Sequence, residues 1–388
     1  MASNSSSKYQ TRLTPERKKH LVFVVISDWF FLSHRLPIAL AAQAEGYKVT
    51  VVAIDTGKKA EVERHGLDFI HLPGTRSGTN ILREIGLIFF FIRLYRRIKP
   101  DIVHHVTLKP VTYGSIAARV TRVPKVVNAI SGLGFLFINK ESNIIRAAIT
   151  HLLFSFGFSK INGYFILQNK DDQAFFEKSN LVRRNHISLI KGSGVDLNVF
   201  AYAPKPVGEK IRIVLSARML WDKGVGEFVE AARLLYPQYG HLAEFLLAGK
   251  YDPENKAFVP LPQLQQWNAE GVVQWIGHQE DMVSLLRDTD IVVLPSYREG
   301  LPKSLIEACA IGRPIVTTDV PGCREVVQEG VNGLLVPEKN STELAKAIEK
   351  LIQNPHIRTE MGKKGREIAE KEFDIRAVIA QTRAIYTT

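Results

Sequence analysis

Short apolar runs alternate with helix-like segments along this chain, and the whole series occurs twice. The first series holds LVFVVIS (21–27), KVTVVAI (48–54), DIVHHV (101–106), KVVNAI (125–130) and YFILQ (164–168). Continuous rather than alternating hydrophobicity is the mark of strands buried on both faces, as in a parallel sheet. One intervening helix, SHRLPIALAAQAEGY, is closed by Gly46 near its end, where a left-handed residue stops a helix. The second series runs through IRIVLSAR (211–218), AEFLLAG (243–249), VVQWIG (272–277), DIVVLPS (290–296), RPIVTTD (313–319) and NGLLVPE (332–338). Between the two lies GSGVDLNVFAYAPKPVGEK (192–210), a Gly- and Pro-containing polar stretch with the character of a linker.

Strand–helix alternation repeated in this way predicts an α/β protein of two Rossmann-like, doubly wound parallel-sheet domains. The expected boundaries are a disordered polar leader over 1–19, a first domain over 20–200 and a second over 201–374. A last helical segment, 375–388, is expected to pack back on the first domain. Ligands of open α/β sheets bind outside the carboxyl ends of the strands, so two such domains should face each other across a binding cleft.

Charge divides along the same line. Residues 1–200 carry 28 Lys and Arg against 14 Asp and Glu, whereas 201–388 carry 23 against 25. A basic first half suits an anionic partner, and a membrane surface is favoured over nucleic acid because no nucleic-acid motif accompanies the charge. No uncharged apolar run reaches the roughly eighteen residues that a spanning helix needs, so any membrane contact is expected to be peripheral. Two cysteines, Cys309 and Cys323, in 388 residues point to a reducing compartment.

The chemistry is concentrated in two stretches of the second half. SARMLWDKGV places Arg218 at the end of a strand and Lys223 in the loop leading to a helix. The forked guanidinium, the point charge of Lys and a helix N-terminus together suit a diphosphate. YREGLPKSLIEACAIGRPIV then opens a second helix after the strand ending at Ser296. There the N–H groups of Gly300, Leu301 and Lys303 are orphan donors for phosphate or sugar oxygens, Pro302 having none. Glu299 stands ahead of the turn, within reach of a sugar hydroxyl. Glu307, inside the helix, is placed to accept from a vicinal diol such as a ribose presents.

These stretches, with VNGLLVPE downstream, resemble the C-terminal domain of the retaining family-four glycosyltransferases, which have the two-domain GT-B fold. The shared signature is the pair of glutamates separated by seven residues, Glu299 and Glu307, preceded by Arg218, Lys223 and Gly224. The resemblance implies that Arg218 and Lys223 bind the donor diphosphate and Glu307 the ribose. Glu299, with the backbone of Gly300, Leu301 and Lys303, would hold the transferred sugar. FFLSHRLPIALAAQAEGYKVTV, VHHVTLKPVTYGSIAARV and VNAISGLGFLF are similar to the subset that builds bacterial surface glycans and lipid-linked oligosaccharides. That subset implies transfer of an N-acetylhexosamine from a UDP-sugar to a lipid-diphosphate-linked saccharide at the cytoplasmic face of the membrane, with no metal and no other cofactor.

Two departures from the family pattern stand out. SDWFFLSHR replaces the usual Gly-Gly loop after the first strand, and His104 and His105 are adjacent where a His-x-His pair is common. Candidate acceptor-binding residues are Asp28, His34 and Arg35, and candidate catalytic residues are Glu299, Lys109 and His105. Arg35 and Lys109 are the cations expected to meet the acceptor diphosphate. ILREIGLIFFFIRLYRRIKP (81–100) and IIRAAITHLLFSFGF (144–158) are expected to contribute membrane contact. Asp288-Thr-Asp290 matches a metal-binding pattern but precedes its strand, at the end away from the cleft, and is read as structural. Alternatives are a GDP-sugar-dependent mannosyl- or fucosyltransferase, a GT-B-like epimerase or phosphorylase, and a non-catalytic scaffold. A dehydrogenase is disfavoured because no G-x-G-x-x-G follows the first strand.

Overall fold

The computed structural model describes residues 17–74, 81–132, 156, 163–179, 182–204 and 210–388. The leader expectation over 1–16, nearly all of 144–158 and part of the linker therefore fall outside the described residues.

The first sheet comprises β1 (His20–Ser27), β2 (Lys48–Ile54), β3 (Asp68–His71), β4 (Ile102–Val106), β5 (Lys125–Ile130), β6 (Gly163–Leu167) and β7 (Ile187–Leu189). Their order is β3-β2-β1-β4-β5-β6-β7, all parallel. The second sheet comprises β8 (Ile211–Ser216), β9 (Ala243–Ala248), β10 (Gln274–Gly277), β11 (Ile291–Leu294), β12 (Ile315–Thr318) and β13 (Gly333–Val336), ordered β10-β9-β8-β11-β12-β13 and again all parallel.

Both sheets are covered on both faces. Phe31, Ile38 and Ala42 pack on one side of the first sheet, and Phe91, Leu94 and Tyr95 of the Ile81–Ile98 helix on the other. In the second, the Val225–Tyr239 and Ser341–Gln353 helices cover one face and the Lys303–Ile311 and Pro355–Glu372 helices the other. The final helix, Ile375–Thr387, leaves the second domain and buries Val378, Ile385 and Tyr386 in the first core. Backbone bonds between Val195 and both Phe373 and Ile375 close this return. Gly194 permits it, because a Cβ there would stand 2.7 Å from the Ile375 Cα.

Strand order reverses direction between β1 and β4 and between β8 and β11. At such switch points the flanking loops diverge and leave a crevice at the carboxyl ends of the strands. The second switch point is where β8 runs into the Arg218–Lys223 loop and β11 into the turn carrying Glu299.

Candidate active site

Arg218 follows β8, and its Nη1 lies 2.9 Å from a carboxylate oxygen of the buried Asp252. Lys223 closes a single 3-10 turn, Trp221–Lys223, and Gly224, at φ +72°, starts the next helix. A Cβ at Gly224 would sit 2.1 Å from the Pro295 carbonyl oxygen, so the Lys-Gly step lets this loop lie against the end of β11. Lys223 Nζ thereby reaches Glu299 Oε1 at 2.5 Å, and Ser296 Oγ donates to the same oxygen at 2.7 Å.

Beyond Glu299 the chain turns through Gly300 and Leu301 into Pro302, which caps the Lys303–Ile311 helix from an extended conformation. Among the described residues, the N–H groups of Gly300, Leu301 and Lys303 donate to no other residue. Glu307 is buried one turn inside the helix, with Lys303 Nζ 3.4 Å from its Oε1. Burial raises the Glu307 carboxyl above its ordinary value, opposed by the Lys303 charge. A buried carboxylate with one partner retains acceptor capacity for two neighbouring hydroxyls. Lys303 Nζ also donates across the cleft to the Ser33 carbonyl oxygen at 2.9 Å. The structure thus gathers Arg218, Lys223, Glu299, Gly300, Leu301, Lys303 and Glu307 at one switch point.

The first domain distributes its candidates differently. His34 stacks on Phe30 with ring centroids 4.1 Å apart. Burial, reinforced by the charges of Lys303, Arg35 and Arg218, holds its pKa well below the ordinary value, so a neutral imidazole lies near these cations. Lys109, just after β4, pairs with Glu84 at 2.7 Å. It lines a small, largely apolar crevice with Ile26, Ile54, Leu72 and Tyr113, at the carboxyl ends of β1, β2 and β3.

Three of the first-domain candidates are buried. The Asp28 carboxylate accepts from the N–H groups of Trp29, Thr56 and Lys58 and from the Thr56 hydroxyl, pinning the loop after β2. Burial alone would raise its pKa, but those bonds outweigh it and hold the carboxyl low. Arg35 is buried rather than presented to a diphosphate, and burial brings its pKa down to about 10. His105 is interior, with Nε2 2.8 Å from the Tyr95 hydroxyl and Nδ1 2.9 Å from Asn128 Oδ1. Burial depresses its pKa to about 4, so it is neutral at neutral pH. Gly114 makes room for this ring, since a Cβ there would stand 2.4 Å from Nε2. His105→Ala should therefore cost fold stability, about 3 kcal/mol from the cavity and the orphaned Tyr95 hydroxyl, and leave nucleotide affinity unchanged. Urea unfolding paired with calorimetry checks this; lost turnover at wild-type stability would restore a catalytic role.

Some groups that bond the candidates escaped the sequence reading. Asp252, which orients Arg218, follows β9 in AGKYD, and a carboxylate just past a strand's carboxyl end was the available signal. Ser296, beside Glu299, and Asn169, which donates to the Gly300 carbonyl oxygen at 2.9 Å, carry no local signature. Asp288 and Asp290 lie as expected at the amino end of β11, where Asp290 accepts from the Arg212 N–H at 2.9 Å.

Residues 203–368 match the family model for glycosyl transferases group 1, and residues 20–162 that for glycosyl transferase 4-like proteins. The N,N'-diacetylbacillosaminyl-diphospho-undecaprenol alpha-1,3-N-acetylgalactosaminyltransferase of Campylobacter jejuni is 30% identical over 356 residues, 86% of this chain and 91% of that one. The chain belongs to the group 1 glycosyl transferases. A second relative, the UDP-Gal:alpha-D-GlcNAc-diphosphoundecaprenol alpha-1,3-galactosyltransferase of Escherichia coli, is 24% identical over 75% of this chain and 76% of that one. Among solved structures, Anabaena Alr3699/HepE in complex with UDP and glucose superposes with a TM-score of 0.76 at 20% identity, covering 95% of this chain and 99% of that one. That likeness gives the group 1 transferase its architecture, the GT-B fold.

Proposed function

We propose that this group 1 glycosyl transferase moves an N-acetylhexosamine from a UDP-sugar to a hydroxyl of a lipid-diphosphate-linked saccharide, with retention of anomeric configuration and without a metal. The observation that carries the donor half is the convergence of Arg218, Lys223, Glu299 and Glu307 at the β8/β11 switch point. The UDP donor and the lipid-diphosphate acceptor rest on the names of the two relatives described above.

Arg218 and Lys223 would take the diphosphate, and the N–H groups of Gly300, Leu301 and Lys303 the oxygens of the transferred sugar. Glu307 would accept from the ribose diol, and Glu299, steadied by Ser296 and Lys223, from a hydroxyl of the sugar. The acceptor oxygen forms its bond to the anomeric carbon on the face from which the diphosphate leaves, and the departing phosphate oxygen takes the acceptor's proton. The protein's contribution is then preorganised charge for the leaving group from fixed cations, with backbone donors holding the sugar in place. Asp288 and Asp290, held by Arg212 at the far end of the sheet, are not placed to bring a metal to the diphosphate.

A membrane partner and a peripheral location are supported by the Ile81–Ile98 helix, and the cytoplasmic face belongs to the same proposal through its nucleotide-sugar donor. One face packs Phe91, Leu94 and Tyr95 on the sheet, while Ile85 and Phe89 are 45% and 66% exposed beside Arg93, Arg96 and Arg97. An outward stripe of apolar and then basic residues fits the interface of an anionic bilayer. Among the described residues, no helix is long and apolar enough to cross a membrane.

Thermal unfolding in EDTA with UDP, GDP, ADP or NAD at equal concentration tests the donor reading. A nucleotide at a hundred times its dissociation constant stabilises by about 2.7 kcal/mol. A shift with UDP alone is expected. A shift with GDP alone would move the donor to a GDP-sugar, and a shift that needs divalent metal would overturn metal independence.

A further inference from the structure

The donor turn is held from the opposite domain. Asn169 follows β6, caps the Lys170–Ser179 helix through its Oδ1 to the Asp172 N–H at 2.8 Å, and is fully buried. Its Nδ2 donates to Asp172 Oδ2 at 3.0 Å and to the Gly300 carbonyl oxygen at 2.9 Å. Asp172, 1% exposed, accepts from Arg298 Nη2 at 2.9 Å. At the rim, the Lys170 N–H donates to Glu325 at 3.0 Å and Arg324 lies 3.7 Å from Asp171. The residues held, Arg298 and Gly300, flank Glu299 on both sides.

Covalent geometry gives this grip a direction. In a trans peptide the C=O of one residue and the N–H of the next point oppositely. Fixing the Gly300 oxygen toward Asn169 therefore aims the Leu301 N–H away from the first domain, and that N–H is one of the three uncommitted donors of the turn. Asn169 and Asp172 bond each other, so the two anchors form one rigid unit at the head of a helix.

We propose that Asn169 and Asp172 are positioning residues, which set the donor turn in its transferring geometry only while the two domains are closed on each other. This rests on the donor site proposed above. Nucleotide binding needs Arg218, Lys223 and Glu307, all in the second domain, whereas sugar transfer needs Glu299 and the Leu301 N–H held in place by the first. Binding and turnover should therefore separate on mutation.

The test uses the full chain with Asn169→Asp, Asp172→Asn, Arg298→Gln and the Asp172→Asn/Arg298→Gln double variant. Asn169→Asp keeps the cap acceptor and replaces the amide donor with an oxygen facing the Gly300 carbonyl. Turnover at saturating donor is expected to fall about thirtyfold or more, as displacements of reacting groups do, with the UDP dissociation constant within about threefold of wild type. The double variant should be no slower than the worse single, since the two side chains act as one contact. Amide exchange over 297–301, which needs no substrate, should quicken in Asn169→Asp. Wild-type exchange and turnover in that variant would overturn the proposal, as would turnover losses that only track losses in melting temperature or UDP affinity. Failure of the wild-type protein to bind UDP would instead overturn the donor reading, leaving the exchange measurement to decide the latch.

Discussion

Glu299→Ala is expected to lower turnover by about two to three orders of magnitude, the loss seen when one preorganised transition-state contact is removed, while UDP affinity stays within about threefold. Its carboxylate sits 2.5 Å from Lys223 and 2.7 Å from Ser296, ahead of the turn, where a sugar rather than a nucleoside would lie. Removing it frees Lys223 for phosphate, so binding of the nucleotide has no reason to weaken. Glu307→Ala provides the contrast. Among the described residues its buried carboxylate pairs with Lys303 alone, and its loss should weaken UDP by about tenfold or more, the worth of a charged hydrogen-bond acceptor. Steady-state kinetics with calorimetry on both variants separates the two roles. Equal effects of the two on UDP affinity would break the assignment of one glutamate to each end of the donor.

The interior strands were legible because burial on both faces leaves continuous apolar runs such as LVFVVIS and IVVL, which few other elements produce. The edge strands β3 (DFIH) and β7 (ISL) were not, being short, half-exposed and composed of residues that suit loops equally well. The clustering of the donor-binding candidates was readable for a related reason. Arg218, Lys223, Glu299 and Glu307 lie on two contiguous segments, each a strand end running into a helix start, so sequence spacing stands in for spatial arrangement. The acceptor half has no such shortcut. Asp28, Arg35 and His105 carry chemistry-bearing side chains near strand ends, yet hydrogen bonds with Thr56, Lys58, Tyr95 and Asn128, distant in sequence, decide that Asp28 and His105 face inward. The clasp of Asn169 on Gly300 spans 131 residues and was beyond any local reading.

Gly300→Ala is expected to have a comparable effect on sugar transfer, at least about 10²-fold in kcat/KM, because it attacks the joint between the domains rather than one contact. An alanine Cβ there would lie 1.9 Å from the Ser131 carbonyl oxygen and 2.9 Å from the Gly132 N, both main-chain atoms that no rotamer change can move. Gly322 crowds the other side of the turn, where its own Cβ would stand 2.6 Å from the carbonyl oxygens of Glu299 and Gly300, so the turn cannot slide away in that direction. Relief must come from parting the domains, which breaks the Asn169–Gly300 bond and pulls Ser33 from Lys303. Neither core is touched, so the melting temperature should hold within a few degrees and UDP should still bind the second domain. Gly330→Ala supplies the control: its φ of +72° makes alanine strained, but open space surrounds the new methyl, so it should cost stability without touching turnover. Small-angle scattering should show a larger radius of gyration for Gly300→Ala alone. Wild-type turnover in that variant would mean that the domains do not need to meet at this turn for transfer to occur.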